Sequence, residues 1–290
     1  RYTALQAIAE LVWNGFDAGA TNVVINISHN SLEAADTVVI QDNGRGIDNE
    51  LLASKFKPFF QSEKIYDPEV KHSTTHGKNG VGRLTFFACS NFATWHTVYC
   101  KDDRKFSYSI EVSSIELQRY KPTALVEISG DSATGTTVVL EDIISTDITE
   151  PLVRDYLALE FCWFLELNKD KGYFISINDD TLNYSEMVIS EEQQTYFHEA
   201  TKMIFDVRYV CWSKKLSEYS KYYYIDSKGD ELAKENTTLN NKGDKFYHSV
   251  FIKSVLFDNF DLHNKMAQLS LDGRKGRKSD EFQYIMREVN

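Results

Sequence analysis

The segment ELVWNGFDA, at residues 10–18, places three polar side chains in an otherwise apolar stretch. Glu10, Asn14 and Asp17 stand at positions i, i+4 and i+7, which share one face of an α-helix. The surrounding apolar residues recur at three- and four-residue spacing, which predicts an amphipathic helix over residues 2–18. A carboxylate in such a row can act as a base towards water, and an amide oxygen can ligate a hard cation such as Mg²⁺. By itself, the row is more typical of an ordinary solvated helix face.

A second motif, Asp42-Asn43-Gly44-Arg45-Gly46-Ile47, directly follows a predicted strand. Its two glycines allow the backbone to approach a ligand closely. A carboxylate at the end of a strand can accept a hydrogen bond from an exocyclic amine. A plain β-turn explains the same residues equally well.

A third motif, Gly77-Lys78-Asn79-Gly80-Val81-Gly82-Arg83-Leu84, is predicted to open a helix. Backbone N–H groups at a helix N-terminus, together with Lys78, can form an anion site suited to phosphates. The spacing is neither that of a P-loop nor that of a dinucleotide-binding turn, so the motif is weak alone. A fourth motif, Gly135-Thr136-Thr137, precedes an apolar strand. It is typical of the start of a strand, although a hydroxyl there could support a base pocket.

Taken together and in this order, the four motifs resemble those of the GHKL ATPases, the superfamily of gyrase, heat-shock protein 90, histidine kinases and MutL. The resemblance covers roughly residues 1–145 and places an ATP pocket within residues 10–137. It implies an α+β, Bergerat-type two-layer sandwich, in which a mixed, mostly antiparallel sheet carries helices on one face. A second, transducer-like α/β domain is expected to follow. The resemblance also implies ATP and Mg²⁺ as ligands.

The resemblance gives a role to each matching residue. Glu10 corresponds to the general base that activates water, and Asn14 to the ligand of Mg²⁺. Asp17 corresponds to the carboxylate that closes the helix motif, and Asp42 to the aspartate that binds the adenine amino group. The other matches form the floor of the base pocket (Gly44, Gly46, Ile47), the phosphate loop (Gly77, Lys78, Asn79, Gly80, Val81, Gly82) and the late-strand threonine (Thr136). The polar segment at about residues 57–80 corresponds to the ATP lid.

Glu10, four residues before Asn14, favours the hydrolysing branch of the superfamily over the histidine kinases. Within that branch we favour a Microrchidia-like or MutL-like ATPase, which implies an ATP-gated homodimer acting as a clamp. In these families the second domain donates a Lys or Arg to the γ-phosphate. The candidates, each of which is more often a solvated surface lysine, are Lys214, Lys215, Lys242 and Lys245. A nucleotide-binding regulatory module without turnover and a histidine-kinase-type phosphotransferase are the alternatives.

Apolar alternation predicts most of the strands. They are expected at residues 23–27, 38–41, 92–100, 104–113, 124–129 and 136–141. Helices are expected at 49–56, after Gly80 and at about 150–167. Beyond residue 170, strand-like stretches at 173–178, 207–212, 221–225 and 246–252 alternate with polar loops, and the last 25 residues look partly helical. We therefore expect an ATP-binding domain at residues 1–169 and a second domain at 170–290.

Composition restricts the partners and the compartment. A net charge of −11 argues against broad binding of a phosphate backbone. One basic cluster, Arg274, Lys275, Arg277 and Lys278, could still contact DNA, or could be a solvated loop, so a DNA or protein client is possible. The four cysteines are widely spaced, which favours buried thiols in a reducing cytoplasm over zinc or disulfides. No apolar run suits a membrane helix. The chain starts without Met inside a predicted helix, so we expect a longer protein.

Overall fold

The computed structural model describes residues 2–52, 82–117, 119–240, 245–262 and 275–290. The chain divides into two compact units. The first comprises Arg1–Ala158 and Lys169–Leu182, and the second comprises Leu159–Asn168 and Asn183–Asn290. The boundary differs from the one expected near residue 170. Phe174–Ile177, which we assigned to the second domain, belongs to the first unit because it pairs with the strand Asn22–His29.

In the residues that the structure describes, the first unit combines one complete α-helix with a large sheet. Helix α1 covers Ala4–Asp17. The strands are β1 (Asn22–His29), β2 (Ala35–Asp42), β3 (Ser90–Lys101), β4 (Arg104–Ser113), β5 (Tyr120–Pro122), β6 (Val126–Ile128), β7 (Gly135–Ile143), β8 (Phe174–Ile177) and β9 (Asp180–Thr181). Helix α2, Glu150–Leu167, begins in this unit and ends in the second.

Among the described residues, these strands form a nine-stranded sheet in the order β5-β4-β3-β7-β2-β1-β8-β9, with β6 also pairing with β4. Strands β1 and β8 pair in parallel, whereas the other neighbours are antiparallel. Strand β7 lies between β2 and β3, and this insertion brings the late-strand motif beside the end of β2. The predicted α+β fold with a mixed, mostly antiparallel sheet is confirmed.

Helix α1 forms where the periodicity predicts it. Thr3 caps its first turn and makes a reciprocal capping box with Gln6. Ala7, Ile8 and Val12 are fully buried, so the apolar stripe packs into the core. The backbone turns out of the helix at Gly19, whose φ is +80°.

Two other predicted helices differ from the structure. The segment expected at residues 49–56 begins with the 3-10 helix Asn49–Leu51, and residues 53–56 lie outside the described part. The helix expected after Gly80 is a 3-10 helix, Gly82–Ala88, rather than an α-helix.

The second unit is built on a sheet that, in the described ranges, has five strands in the order β10-β11-β14-β12-β13. A short parallel pair and a C-terminal helix complete the unit. The elements are β10 (Val188–His198), β11 (Met203–Trp212), β12 (Lys221–Ile225), β13 (Glu231–Asn236), β14 (Tyr247–Lys253), β15 (Phe260–Asp261), β16 (Lys275–Gly276) and α3 (Asp280–Val289). Helix α3 packs Phe282 and Ile285 into a core formed with β11, β12 and β14. The end of α2 contributes Trp163, which stacks on Tyr223 at 5.4 Å.

Two of the four thiols are buried and one is exposed. Burial raises the pKa of both Cys89 and Cys162 to about 12. Cys211 is half-buried and Cys100 is exposed. The expectation of four buried thiols is therefore wrong for Cys100, which alternation along β3 places on the outer face of the sheet. In the parts of the chain that the structure describes, no helix is both long and apolar enough to cross a bilayer.

Candidate functional site

The pairing of β2 with β7 places Asp42 opposite Thr136 at one end of the first sheet. Asp42 Oδ1 accepts a hydrogen bond from the Gly44 N–H at 2.8 Å and another from the Thr136 N–H at 3.3 Å. These two donors come from segments far apart in sequence and hold the carboxylate in one orientation. None of the described residues donates a hydrogen bond to Asp42 Oδ2, which leaves it as an acceptor for a ligand.

Burial dominates the electrostatics of Asp42. It raises the pKa of the carboxyl group, although the N–H groups of Gly44 and Thr136 act in the opposite direction. A half-buried carboxylate at a strand end whose ionisation is disfavoured by its surroundings is a candidate ligand-binding group.

The floor beside Asp42 is fixed by hydroxyl groups of neighbouring strands. The Ile47 N–H donates to Thr97 Oγ1 at 2.9 Å, and the Tyr108 hydroxyl donates to the Ile47 carbonyl at 3.0 Å. Thr97 and Thr136 hydroxyl oxygens lie 3.3 Å apart and both side chains are buried. Thr97 and Tyr108 were not among the predicted residues. Their β3 and β4 positions carry only the ordinary alternation of strand residues, so the sequence holds no signal for them.

Two glycines allow close approach of backbone segments around the site. Gly46 has φ +74°, and a Cβ there would lie 2.2 Å from the Val98 carbonyl oxygen. On α1, a Cβ at Gly15 would lie 2.9 Å from Asp42 Cβ. The helix can therefore pack against the end of β2 only because residue 15 has no side chain.

The three polar residues of α1 lie at the same end of the unit. Glu10, Asn14 and Asp17 are half-buried, between the buried stripe and solvent. Hydrogen bonds join the C-terminal end of α1 to the loop after β2. The Arg45 N–H donates to the Ala18 carbonyl at 3.0 Å, and Arg45 Nη2 donates to the Asp17 carbonyl at 3.1 Å. The first and second motifs thus form one structure.

Asn14 provides the test of whether the site suits a metal ion. Its Nδ2 is buried, and no group in the described ranges forms a hydrogen bond with it. A buried amide with an unsatisfied N–H₂ donor is costly unless a ligand supplies an acceptor. An unpaired N–H₂ group needs an acceptor such as a phosphate oxygen, and the Oδ1 atom of the same amide is the group that could ligate Mg²⁺.

The phosphate loop and the lid lie largely outside the described residues. Of the loop, only Gly82 is described, at the start of the 3-10 helix Gly82–Ala88. The roles of Gly77, Lys78, Asn79, Gly80 and Val81, and the lid at residues 57–80, stay predictions.

The candidate lysines of the second unit fall into three groups. Lys214 is exposed in the turn after β11. Lys215 and Lys245 are exposed and line the same cavity of about 210 Å³, together with Trp212 and His248. Lys242 lies outside the described residues. The contact of one of these lysines with the γ-phosphate stays a prediction.

Two members of the basic cluster are paired with acidic side chains. Lys275 Nζ donates to Glu281, and Arg277 Nη2 donates to Glu235. Lys278 is exposed, and Arg274 lies outside the described residues. Because two of the charges are neutralised within the unit, the cluster is a weaker DNA-binding candidate than its sequence indicates.

Fold and site together define an ATP-binding domain of the GHKL type. Residues 2–136 match the protein-family model described as histidine kinase-, DNA gyrase B- and HSP90-like ATPase. This match assigns residues 2–136 to the GHKL ATPase superfamily, in agreement with the four motifs.

Solved structures similar to this chain include ATPase regions from two organisms. The ATPase region of Saccharomyces cerevisiae topoisomerase II is 14% identical, with a TM-score of 0.47, and the match covers 86% of this chain and 72% of that one. The Aquifex aeolicus MutL ATPase domain complexed with ADP is 17% identical, with a TM-score of 0.42, covering 86% and 90%. A single-substitution variant of the same MutL domain is 14% identical, with a TM-score of 0.43, covering 99% and 98%. A comparison with curated protein sequences finds no significant match.

Proposed function

We propose that this protein binds ATP with Mg²⁺ and hydrolyses it to ADP and phosphate. The observation that carries the proposal is the Asp42 carboxylate. It is half-buried, and two backbone N–H groups hold one of its oxygens while the other is available as an acceptor. Adenine presents an exocyclic amine that such an acceptor recognises. The proposal rests further on the match of residues 2–136 to the GHKL family model.

Each motif has a defined task in this proposal. The amino group of adenine donates to Asp42, while Gly46, Ile47 and Thr136 form the wall against the base. Asn14 and the phosphates would hold Mg²⁺, which supplies positive charge against the phosphoryl oxygens. Glu10 lies one helical turn before Asn14 and orients the attacking water, accepting its proton. The segment at residues 77–82 contacts the phosphates through backbone N–H groups and Lys78.

The wider cycle follows from the hydrolysing branch that Glu10 favours. ATP binding closes two copies of the chain into a dimer, a lysine of the second unit reaches the γ-phosphate, and hydrolysis reopens the dimer. The nucleotide then acts as a switch between two conformations, because only one of them makes the additional contacts. We place this cycle in the cytoplasm.

Separate measurements of binding and turnover test the proposal. We expect wild-type protein to bind ATP·Mg²⁺ by calorimetry and to release phosphate. Glu10→Gln should lower the rate of phosphate release by at least about 100-fold while changing ATP affinity by less than about threefold, because the general base contributes chiefly to the chemical step.

Asp42→Asn provides the binding arm of the same test. It should weaken ATP by about tenfold or more, since it places an amide donor where a charged acceptor is needed. Asp36→Asn, at an exposed position near the start of the same strand, is the matched control and should bind ATP as wild type does. Wild-type affinity in Asp42→Asn would contradict the assignment of the adenine site.

Two alternative functions are distinguished by the same measurements. A regulatory nucleotide-binding module would bind ATP without phosphate release, and Glu10→Gln would then change nothing. A histidine-kinase-type phosphotransferase would transfer the γ-phosphoryl group from ATP to a histidine instead of water. Incubation with γ-labelled ATP followed by detection of acid-labile protein phosphate distinguishes that case.

A further inference from the structure

Strand β10 is an unusually exposed edge of the second sheet. It runs for 11 residues, Val188–His198, with the sequence VISEEQQTYFH, and it is the terminal strand of the sheet in the described ranges. All seven residues from Ile189 to Thr195 are exposed. Edge strands are usually short or interrupted by proline or lysine, because their outer N–H and C=O groups are ready to pair with another strand. Strand β10 contains neither residue, and its register irregularity lies at its first residues.

We propose that β10 pairs with β10 of a second copy of this chain, antiparallel and about a two-fold axis at Gln193, to form one continuous sheet through both copies. Gln193 is the middle residue of the strand, so this register alone pairs all 11 residues. The outward-facing backbone N–H and C=O groups lie on alternate residues of a strand, either the odd or the even ones. A two-fold axis at a residue pairs odd positions with odd positions and even with even. The outward-facing backbone groups of the two copies therefore meet, with about ten new hydrogen bonds.

The side chains of β10 are complementary in this register. Ile189 is 68% exposed and Phe197 is 45% exposed, and each lies opposite the other in the second copy. Ile204, which is 51% exposed, lies beside Phe197 in the same chain and extends the apolar surface. The pairing therefore covers Ile189 and Phe197, which lie near opposite ends of the strand and on the same face of the sheet.

The charges of β10 are compatible with this register and exclude a two-fold axis at Glu191 or Glu192. Its acidic residues, Glu191 and Glu192, lie opposite Thr195 and Gln194 of the second copy, so no carboxylate faces another. A two-fold axis at either neighbouring glutamate would instead place identical carboxylates opposite each other, which is unfavourable across strands. Glu191 is also ion-paired with Arg208 of its own chain, at 3.4 Å, which reduces its charge at the edge.

A pair of charge variants tests the register directly. Gln194→Lys places a cation opposite Glu192 of the second copy, and Gln194→Glu places a carboxylate there. Gln194→Glu keeps an oxygen that can accept from the Tyr196 hydroxyl and Gln194→Lys does not, so Gln194→Ala, which loses that acceptor without adding a charge, is the neutral control. Because the pair occurs twice about the axis, we expect the dimer dissociation constant to fall for Gln194→Lys and to rise for Gln194→Glu, each by about tenfold. Sedimentation of the chain without nucleotide measures it.

Disulfide formation tests the position of the axis. In a Cys100→Ser background, which removes the exposed thiol, Gln193→Cys should give a disulfide-linked dimer on mild oxidation because the two Cys lie directly opposite. Ser190→Cys is the matched control. It is exposed on the same strand, but its two copies would stand about 20 Å apart, so it should stay unlinked.

The contact lies in the second unit and needs no nucleotide, so its failure is distinct from failure of the proposed ATP cycle. A chain that stays monomeric without nucleotide at all soluble concentrations would overturn it. So would a dimer that forms only with an ATP analogue, equal dissociation constants for the two Gln194 variants, or equal cross-linking at residues 190 and 193.

Discussion

Gly46 is one of two glycines of the candidate site, with Gly135, at which a Cβ would lie 2.2 Å from a backbone carbonyl oxygen. Its φ is +74°, and a Cβ would lie 2.2 Å from the carbonyl oxygen of Val98, a backbone atom that cannot move aside. We expect Gly46→Ala to lower the free energy of unfolding by more than about 2 kcal/mol, since left-handed backbone alone costs about 1–2 kcal/mol and the clash adds to it. Denaturant unfolding of the variant measures the loss.

Gly19 is the control for this effect because it separates backbone strain from steric contact. Its φ is +80°, yet a Cβ there would meet nothing within 4 Å. Gly19→Ala should therefore cost only about 1 kcal/mol. Equal losses for the two variants would show that contact with Val98 does not restrict the loop after β2.

Asp42 gives a prediction about pH because its folded pKa is raised by burial. The folded protein then holds the proton more tightly than the unfolded chain does. The protonated carboxyl group favours folding below the ordinary pKa of 3.8, and this contribution is lost as the pH rises through the raised folded pKa. At neutral pH the charge of Asp42 is therefore a cost to the fold.

We accordingly expect Asp42→Asn to have an unfolding temperature at pH 7 equal to or higher than that of wild type, even as it loses ATP affinity. The asparagine keeps an oxygen that accepts from Gly44 and Thr136 and removes the buried charge. The difference from wild type should shrink as the pH is lowered towards 4. Thermal unfolding across this range, with Asp36→Asn beside it, measures the effect; a marked loss of stability at pH 7 would refute it.

Individual site residues can be predicted from the sequence when their chemistry is unusual for their position. Asp42 ends a strand and stands beside two glycines, so it was predicted. Thr97 and Gly15 were not, because a threonine in a strand and a glycine in a helix carry no local signal. Their importance arises when β3 and α1 come against the loop after β2, and such contacts depend on tertiary packing.

At the scale of elements, Asn178 joins three parts of the first unit. Its Oδ1 accepts from the Ile27 N–H at 2.8 Å, and its Nδ2 donates to Glu150 at 2.8 Å. It thereby ties β1 and the start of α2 to the end of β8. Asn178→Gly should destabilise the protein by about 1–3 kcal/mol, because the N–H of the buried Ile27 is left without its acceptor.

Glycine is the informative replacement because Asn178 has φ +47°. Asn178→Ala should be less stable than Asn178→Gly by about a further 1 kcal/mol, from left-handed strain. Denaturant unfolding separates the two contributions. If Asn178→Gly matches wild type, the side chain does not tie β8 to its neighbours.

Most elements with strong periodicity were predictable, and those without it were not. Helix α2 was expected at residues 150–167 and is found at Glu150–Leu167. Strand β10 was missed because its run of Glu, Gln and Thr has no apolar alternation, and β13, with the sequence ELAKEN, reads as readily as a helix. Both are edge strands, with no second neighbour in the described ranges, so burial leaves little pattern in their residues.

The whole molecule consists of two compact units, each with its own sheet. We therefore expect nucleotide binding to raise the stability of one unit more than that of the other. A ligand that makes most of its contacts with the first unit stabilises chiefly that unit, by about 2.7 kcal/mol at 100 times its dissociation constant. Amides of β2 and β7 that exchange through unfolding of this unit should then slow by about 100-fold when Glu10→Gln protein is saturated with ATP·Mg²⁺. Core amides of β11 and β14 should keep their rates. Hydrogen exchange with mass spectrometry distinguishes the outcomes: equal slowing in both sheets would mean that the chain unfolds as one cooperative body, and no slowing in β2 and β7 would mean that ATP does not bind beside Asp42.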